Sequence, residues 1–196
     1  MIDQKKFLIG IDEVGRGPIA GPVAVGAVLL FPHFDLQNLA HIKDSKQLNP
    51  QKRELWFKKA CEFQKNGLID FAVSFSSENV IDKKGIVYAI RKSLARALKK
   101  VCKDPMKTHI FLDGGLVAGE EYPYQKTIIR GDEILSIIAL ASILAKVTRD
   151  RKMVRYGQKF PLYGFEQHKG YGTKHHYKMI EKHGMSSLHR KSFLKT

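Results

Sequence analysis

The chain has 196 residues, 43% of them hydrophobic, and carries 34 Lys and Arg against 19 Asp and Glu for a formal net charge of +15. That length suits one domain, residues 1–196, with a real core, and the charge predicts a positive field suited to a polyanion, nucleic acid or an anionic membrane surface. Cys61 and Cys102 lie far apart with no C-x-x-C spacing, and the longest uncharged apolar stretch, Ile134 to Ala145, falls short of the roughly 20 residues of a membrane span, so a disulfide framework, a cysteine metal site and a transmembrane helix are all disfavoured.

The N-terminus, "MIDQKKFLIGIDE", lacks the long apolar region and small-residue cleavage site of a secretory signal. A soluble, cytoplasmic protein is the expectation. In "FLIGID" both alternating faces are apolar up to Asp12, as in a central strand whose end carries the carboxylate. "VAVGAVLLF", Val23 to Phe31, is a second strand, and the glycines and prolines between the two mark a turn that makes them neighbours. "NPQKRELWFKKACEF" reads as a helix capped by Asn49, with Pro50 in its first position.

"LIDFAVSF" is a third strand. Val87, Ile90, Leu94, Ala97, Leu98 and Val101 then recur at steps of three and four, a helix with Lys and Arg outside. "HIFLDGG" is a short strand stopped at Asp113, "YQKTIIR" another, and "GDEILSIIALASILAKVTRDRKMVRYG" a long helix, apolar first and basic later. On that helix Lys146, Arg149 and Arg151 are candidates for phosphate contact or for a solvated face. The last third is rich in Gly, His, Lys and Tyr and closes with a short helix between Thr173 and Gly184. The pattern predicts an α/β domain with a mixed central sheet flanked by helices and a small helical C-terminal part.

Asp12, Asp113 and Asp132 each stand at a strand end or a strand-to-helix junction, with Glu13 beside the first, and sites in open sheets collect at such ends. Singly, each has an ordinary reading: a solvated strand end, an Asp-Gly hairpin turn, a helix cap. Jointly they require compensation, because two unit charges about 4 Å apart repel by roughly 1 to 4 kcal/mol at effective dielectrics of 80 to 20. Carboxylate-rich, cysteine-free sites suit Mg²⁺ or Mn²⁺, the ions with which many nucleases activate water and stabilise a leaving alkoxide. Four acids within a positive surface therefore point to metal-dependent phosphodiester hydrolysis. The spacing of His168, His175, His176, His183 and His189 fits no common zinc site, so they read as structural or phosphate-facing.

"GIDEVGRGPIAGPV" closely resembles the opening signature of the type 2 ribonucleases H, the bacterial ribonuclease HII group. The likeness continues in order through "DSKQL" (Asp44 to Leu48), "FLDGG", "GDEILSIIALASILAKVTRDR", "HKGYGTKHH" and "SSLHRKSF". It implies an RNase H-like fold and an endonuclease that cuts the RNA strand of RNA–DNA hybrids and 5′ of ribonucleotides embedded in duplex DNA, leaving 5′-phosphate and 3′-hydroxyl ends. By similarity the metal-binding catalytic acids are Asp12, Glu13, Asp113 and Asp132, and the cofactor is Mg²⁺ or Mn²⁺. The ribonucleotide-sensing loop falls on Gly15, Arg16 and Gly17, where the lack of a Cβ lets backbone amides approach a 2′-hydroxyl. Tyr171 matches the tyrosine that packs on the following deoxyribose, and Lys46 a backbone contact. The segment from about residue 160 would complete the substrate groove, and a monomer is expected.

Val14 and Leu140 depart from the family's alanines, modest changes in packing, and Gly85 from a commonly placed asparagine, with a bearing on the grip on DNA. Two alternatives remain open at this stage. A nuclease of the same fold could act as a resolvase or DNA exonuclease, which a cut at a deoxyribonucleotide would reveal. A basic nucleic-acid-binding protein without catalysis would bind independently of divalent metal and weaken steeply with salt.

Overall fold

The computed structural model describes residues 6–40, 42 and 48–194; Lys46 and most of "DSKQL" lie outside them. Five strands form one sheet: β1 (Phe7–Val14), β2 (Val23–Leu30), β3 (Ile69–Ser76), β4 (Thr108–Asp113) and β5 (Gln125–Ile128), in the order β3-β2-β1-β4-β5. β1 runs antiparallel to β2 and β2 to β3, whereas β1 with β4 and β4 with β5 are parallel. The mixed sheet expected from the pattern is therefore present. The parallel β4–β5 pair excludes a hairpin at Asp113-Gly114.

Seven helices accompany the sheet among the described residues: α1 (Pro50–Lys65), α2 (Glu78–Lys84), α3 (Ile86–Val101), α4 (Gly131–Ile134), α5 (Ser136–Lys159), α6 (Phe165–His168) and α7 (Lys174–His183). Local chemistry sets their ends. Asn49 accepts a hydrogen bond from the Lys52 amide with Pro50 in the first turn, and Thr173 accepts one from the His176 amide. The helix expected to begin at "GDEIL" is instead broken: Leu135 is extended, and it separates the single turn of α4 from α5.

Side-chain alternation along β1 assigns the layers. Ile9 and Ile11 enter a core with Ile90, Leu94 and Leu98 of α3, while Leu8 packs on the opposite face beside Ile138, Ala141 and Leu144 of α5. The fully buried Ile and Leu side chains among these each contribute about 1.5–3 kcal/mol by removal from water. α5 comes unusually close to the sheet. A Cβ on Gly10 would stand 2.6 Å from the Ile137 carbonyl, and one on Gly26 would stand 2.4 Å from the Ala141 oxygen. These two glycines admit the helix backbone itself. Gly26 pairs with Asp12, so the close approach lands beside the first acid. Leu140, a departure from the family pattern, is fully buried in the same layer. A third cluster, Ala20, Met153, Tyr163, Phe165 and Leu188, joins the C-terminal part to α5 and to the 15–22 loop.

Candidate active site

β1 and β4 bring the acids together by register. Their last parallel pair is Ile11 with Leu112, so the next residues, Asp12 and Asp113, fall side by side on the face covered by α4 and α5. Asp12 is not where β1 ends, since β1 continues to Val14 against Ala24 of β2; it is where pairing with β4 ends, which frees that side for a site. A cleft of about 430 Å³ opens there, lined by Asp12, Glu13, Asp113, the loop Val14 to Gly17, Arg53, Ser142, Ile143, Lys146 and Tyr171.

Asp12 is 5% exposed. Its Oδ1 accepts from the Glu13 amide at 2.7 Å, and the Ser142 hydroxyl also bonds to it. Burial, with the charges of Glu13 and Asp113 adding to it, pushes its carboxyl up from 3.8 to about 8 against the lowering effect of those hydrogen bonds. Glu13 pairs with Arg16 at 3.2 Å. Asp113 Oδ1 accepts from the Gly131 amide at 2.6 Å, which ties the end of β4 to the start of α4. Asp132, the residue after Gly131, is buried at 1% exposure and is not part of the cleft lining. It does not cap α4, because that position belongs to Arg130, in the left-handed region at φ 55°. The structure thus gathers Asp12, Glu13 and Asp113 at the cleft and keeps Asp132 buried, one residue beyond the Gly131 amide that binds Asp113.

Every acid donor here is a carboxylate oxygen, the chemistry preferred by hard divalent ions. As the side chains stand, no group of three or more His, Cys, Asp and Glu among the described residues encloses an ion. The raised Asp12 nevertheless fits one: a carboxyl kept protonated by burial and by the charges beside it is a ligand that a divalent cation would return to its charged form.

The basic residues divide. Lys146 lines the cleft, pairs with Asp150 at 3.0 Å and lies 5.9 Å from the centre of the Tyr171 ring. Arg151 instead pairs with Glu54 at 2.6 Å and covers the Phe57 ring. Arg149 is neither solvated nor available to phosphate. It is fully buried and donates to the carbonyls of Pro22 and Lys169, because the helix face it occupies is covered by the 15–22 loop. Two lining residues escaped the sequence reading. Ser142 interrupts an apolar run four residues before Lys146, so helical spacing could have exposed it; Arg53 looked like an ordinary outer residue of α1. The histidines form no zinc set among the described residues. His176 and His189 meet at 3.0 Å, His168 stacks on His176, and burial pushes His176 down to about 4.

The family profile described as Ribonuclease HII matches residues 9–196. The chain belongs to the ribonuclease HII family. A ribonuclease HII from Endomicrobium trichonymphae is 41% identical over 184 residues, 94% of this chain and 83% of that one. The ribonuclease H2 of Pyrococcus horikoshii OT3 superposes with a TM-score of 0.76 at 24% identity, covering 95% of this chain and 93% of that one. Bst-RNase HIII in complex with Mn²⁺ superposes with a TM-score of 0.65 at 19% identity over 96% of this chain and 65% of that one. These two structural likenesses establish the fold. As a ribonuclease HII the chain is a hydrolase, an endoribonuclease of the ribonuclease H type. Among its described residues no helix is long and apolar enough to cross a membrane.

Proposed function

We propose that Asp12, Glu13, Asp113 and Asp132 hold divalent ions, Mg²⁺ or Mn²⁺, for cleavage 5′ of a ribonucleotide in an RNA–DNA hybrid or in duplex DNA. The observation that carries this reading is the side-by-side placement of Asp12 and Asp113 at the floor of a cleft walled by Gly15, Arg16, Gly17 and Tyr171. Mn²⁺ in Bst-RNase HIII, a protein of the same fold, supports the choice of ion. A bound divalent ion supplies Lewis-acid polarisation and an activated water.

The chain's own residues do the rest. Ser142 and the Glu13 amide orient the Asp12 carboxyl, and the Gly131 amide fixes that of Asp113. Gly15, Arg16 and Gly17 present backbone to the ribose, and a 2′-hydroxyl is the group there that separates RNA from DNA. Tyr171, 43% exposed, offers a face to the next sugar, while Arg53 and Lys146 meet phosphate. Lys46, outside the described residues, is assigned the same duty by similarity. On this reading residues 1–196 act as one catalytic domain, a cytoplasmic monomer, with the segment from about 160 completing the groove through Tyr171. The test is an end-labelled duplex with one ribonucleotide, incubated with and without Mg²⁺. A single metal-dependent cut 5′ of the ribonucleotide, leaving 5′-phosphate and 3′-hydroxyl ends, is expected; cutting at a deoxyribonucleotide, or cutting without metal, refutes it.

A further inference from the structure

Two arginines are completely buried, Arg149 and Arg190, and neither forms an ion pair among the described residues. Their partners are main-chain carbonyls. Arg190 donates Nη2 to Gly15 O at 2.7 Å, Nη1 to Arg16 O at 3.0 Å and Nε to Gly21 O at 2.9 Å. Arg149 donates Nε to Pro22 O at 2.9 Å, Nη1 to Lys169 O at 3.0 Å and Nη2 to Ala20 O at 3.5 Å. Between them, the two guanidinium groups take up five carbonyls of the 15–22 loop and one from the segment that carries Tyr171.

Peptide geometry gives this a direction. No peptide bond here is cis, and in a trans unit the carbonyl and the amide of the following residue point opposite ways. The Gly15 carbonyl shares its unit with the Arg16 amide, and the Arg16 carbonyl shares its unit with the Gly17 amide. With both carbonyls drawn onto Arg190, both amides are turned away from it. That is the side on which Gly15, Arg16 and Gly17 line the cleft, and Arg190 does not line it. Gly15 holds φ +94°, and a Cβ there would stand 2.3 Å from Arg149 Nε, so the loop lies directly against the guanidinium layer. The same layer fixes the other wall. Gly170 O accepts from the amides of Ile19 and Ala20, and the Arg190 amide donates to Ile19 O.

We infer that Arg190 is a positioning residue for sugar recognition: by holding the Gly15 and Arg16 carbonyls inward it aims the Arg16 and Gly17 amides at the 2′-hydroxyl of the ribonucleotide. Arg149 sets the distance from that loop to Tyr171. The inference rests on the reading above that this loop meets the ribose. It makes the last turn of the chain, some way from the acids in sequence, a determinant of RNA-over-DNA choice. A lysine at 190 has one donor head and no planar fork, and it would not bridge three carbonyls at these separations.

The test compares affinities, in EDTA, for one duplex containing a single ribonucleotide and the identical all-DNA duplex. Wild type, Arg190→Lys and Arg190→Gln are titrated after circular dichroism has verified their folding. Wild type is expected to prefer the ribonucleotide by about tenfold or more, the value of one hydrogen bond of about 1.4 kcal/mol. Both variants are expected to bring the ratio close to one while keeping their affinity for the all-DNA duplex, which phosphate contacts set. A loss of folded protein would scale both affinities alike and leave the ratio intact, so an unchanged ratio in the variants overturns the inference. A wild type without preference removes the loop reading itself, and the inference with it. Should neither variant fold, amide hydrogen exchange on wild type decides: the Arg16 and Gly17 amides should be protected by the ribonucleotide duplex and not by the all-DNA one, and equal protection by both is the contrary result.

Discussion

Replacing Asp12 by asparagine should make the metal-free protein more stable and the enzyme inactive. The carboxyl is buried beside Glu13 and Asp113 and is pushed up from 3.8 to about 8. Its folded pKa therefore lies above its unfolded value. Between about pH 4 and pH 8 the folded state keeps a proton that the unfolded state releases, so stability falls as pH rises through that window and levels beyond it. Each pH unit costs up to about 1.4 kcal/mol, which sets a ceiling of about 4 kcal/mol at pH 7. Water entering from the cleft lowers it, and about half that value corresponds to ~4–8 °C in a chain of this size. The asparagine oxygen can still accept from the Glu13 amide, so the local bonds survive while the ionisation penalty disappears. Thermal unfolding in EDTA should show the two proteins nearly level at pH 4 and the variant increasingly ahead up to pH 8. Adding Mn²⁺ at pH 8 should raise wild type and leave the variant unmoved. Parallel melting temperatures from pH 4 to 8, or a variant less stable than wild type at pH 8, would refute the reasoning.

Tyr171→Ala should lower kcat/KM on a single-ribonucleotide duplex roughly tenfold, through about 1.4 kcal/mol of lost ring contact, whereas Tyr171→Phe should stay near wild type; steady-state cleavage of the two variants decides. Arg53→Ala and Lys146→Ala should each flatten the slope of log affinity against log salt by about one phosphate contact, uniformly across sequences, as read by fluorescence titration from low to physiological salt. Gly85 joins α2 to α3 at φ +82° and ψ 160° in open space. Because that region is essentially reserved for glycine, Gly85→Ala should cost about 1–3 kcal/mol. Denaturant unfolding would show it as a lower midpoint with unchanged slope.

Most of the sheet could be read directly, since β1, β2, β3 and β4 are runs whose two faces differ little or alternate cleanly, and the helix at 86–101 shows clear periodicity and those at 50–65 and 174–183 carry side-chain caps. Local patterns do not contain register, and register is what sets Asp12 beside Asp113. The break at Leu135 was hidden because every residue from Ile134 to Ala141 is compatible with helix; tertiary packing of Gly131 under Ile138 and its amide bond to Asp113 impose it. Arg149 was misread for the same reason. A basic residue on the second half of a basic helix looks solvated until the loop from 15 to 22 is folded over it.

The two kinds of buried charge in this fold are handled in opposite ways, and the contrast separates chemistry from support. The guanidinium groups of Arg149 and Arg190 are surrounded by carbonyl dipoles, so the cost of their burial is offset within the chain. Burial and Arg149 push Arg190 down only to about 9, and it stays charged at neutral pH. Asp12 is buried beside two like charges, and its two hydrogen bonds do not offset them, so it stays protonated at the same pH. A charge satisfied by its own chain holds structure in place. A carboxylate that its own chain leaves poorly solvated has a use for a cation from outside, and here it lies in a cleft whose rim, Arg16, Arg53 and Lys146, can receive the phosphates of a substrate.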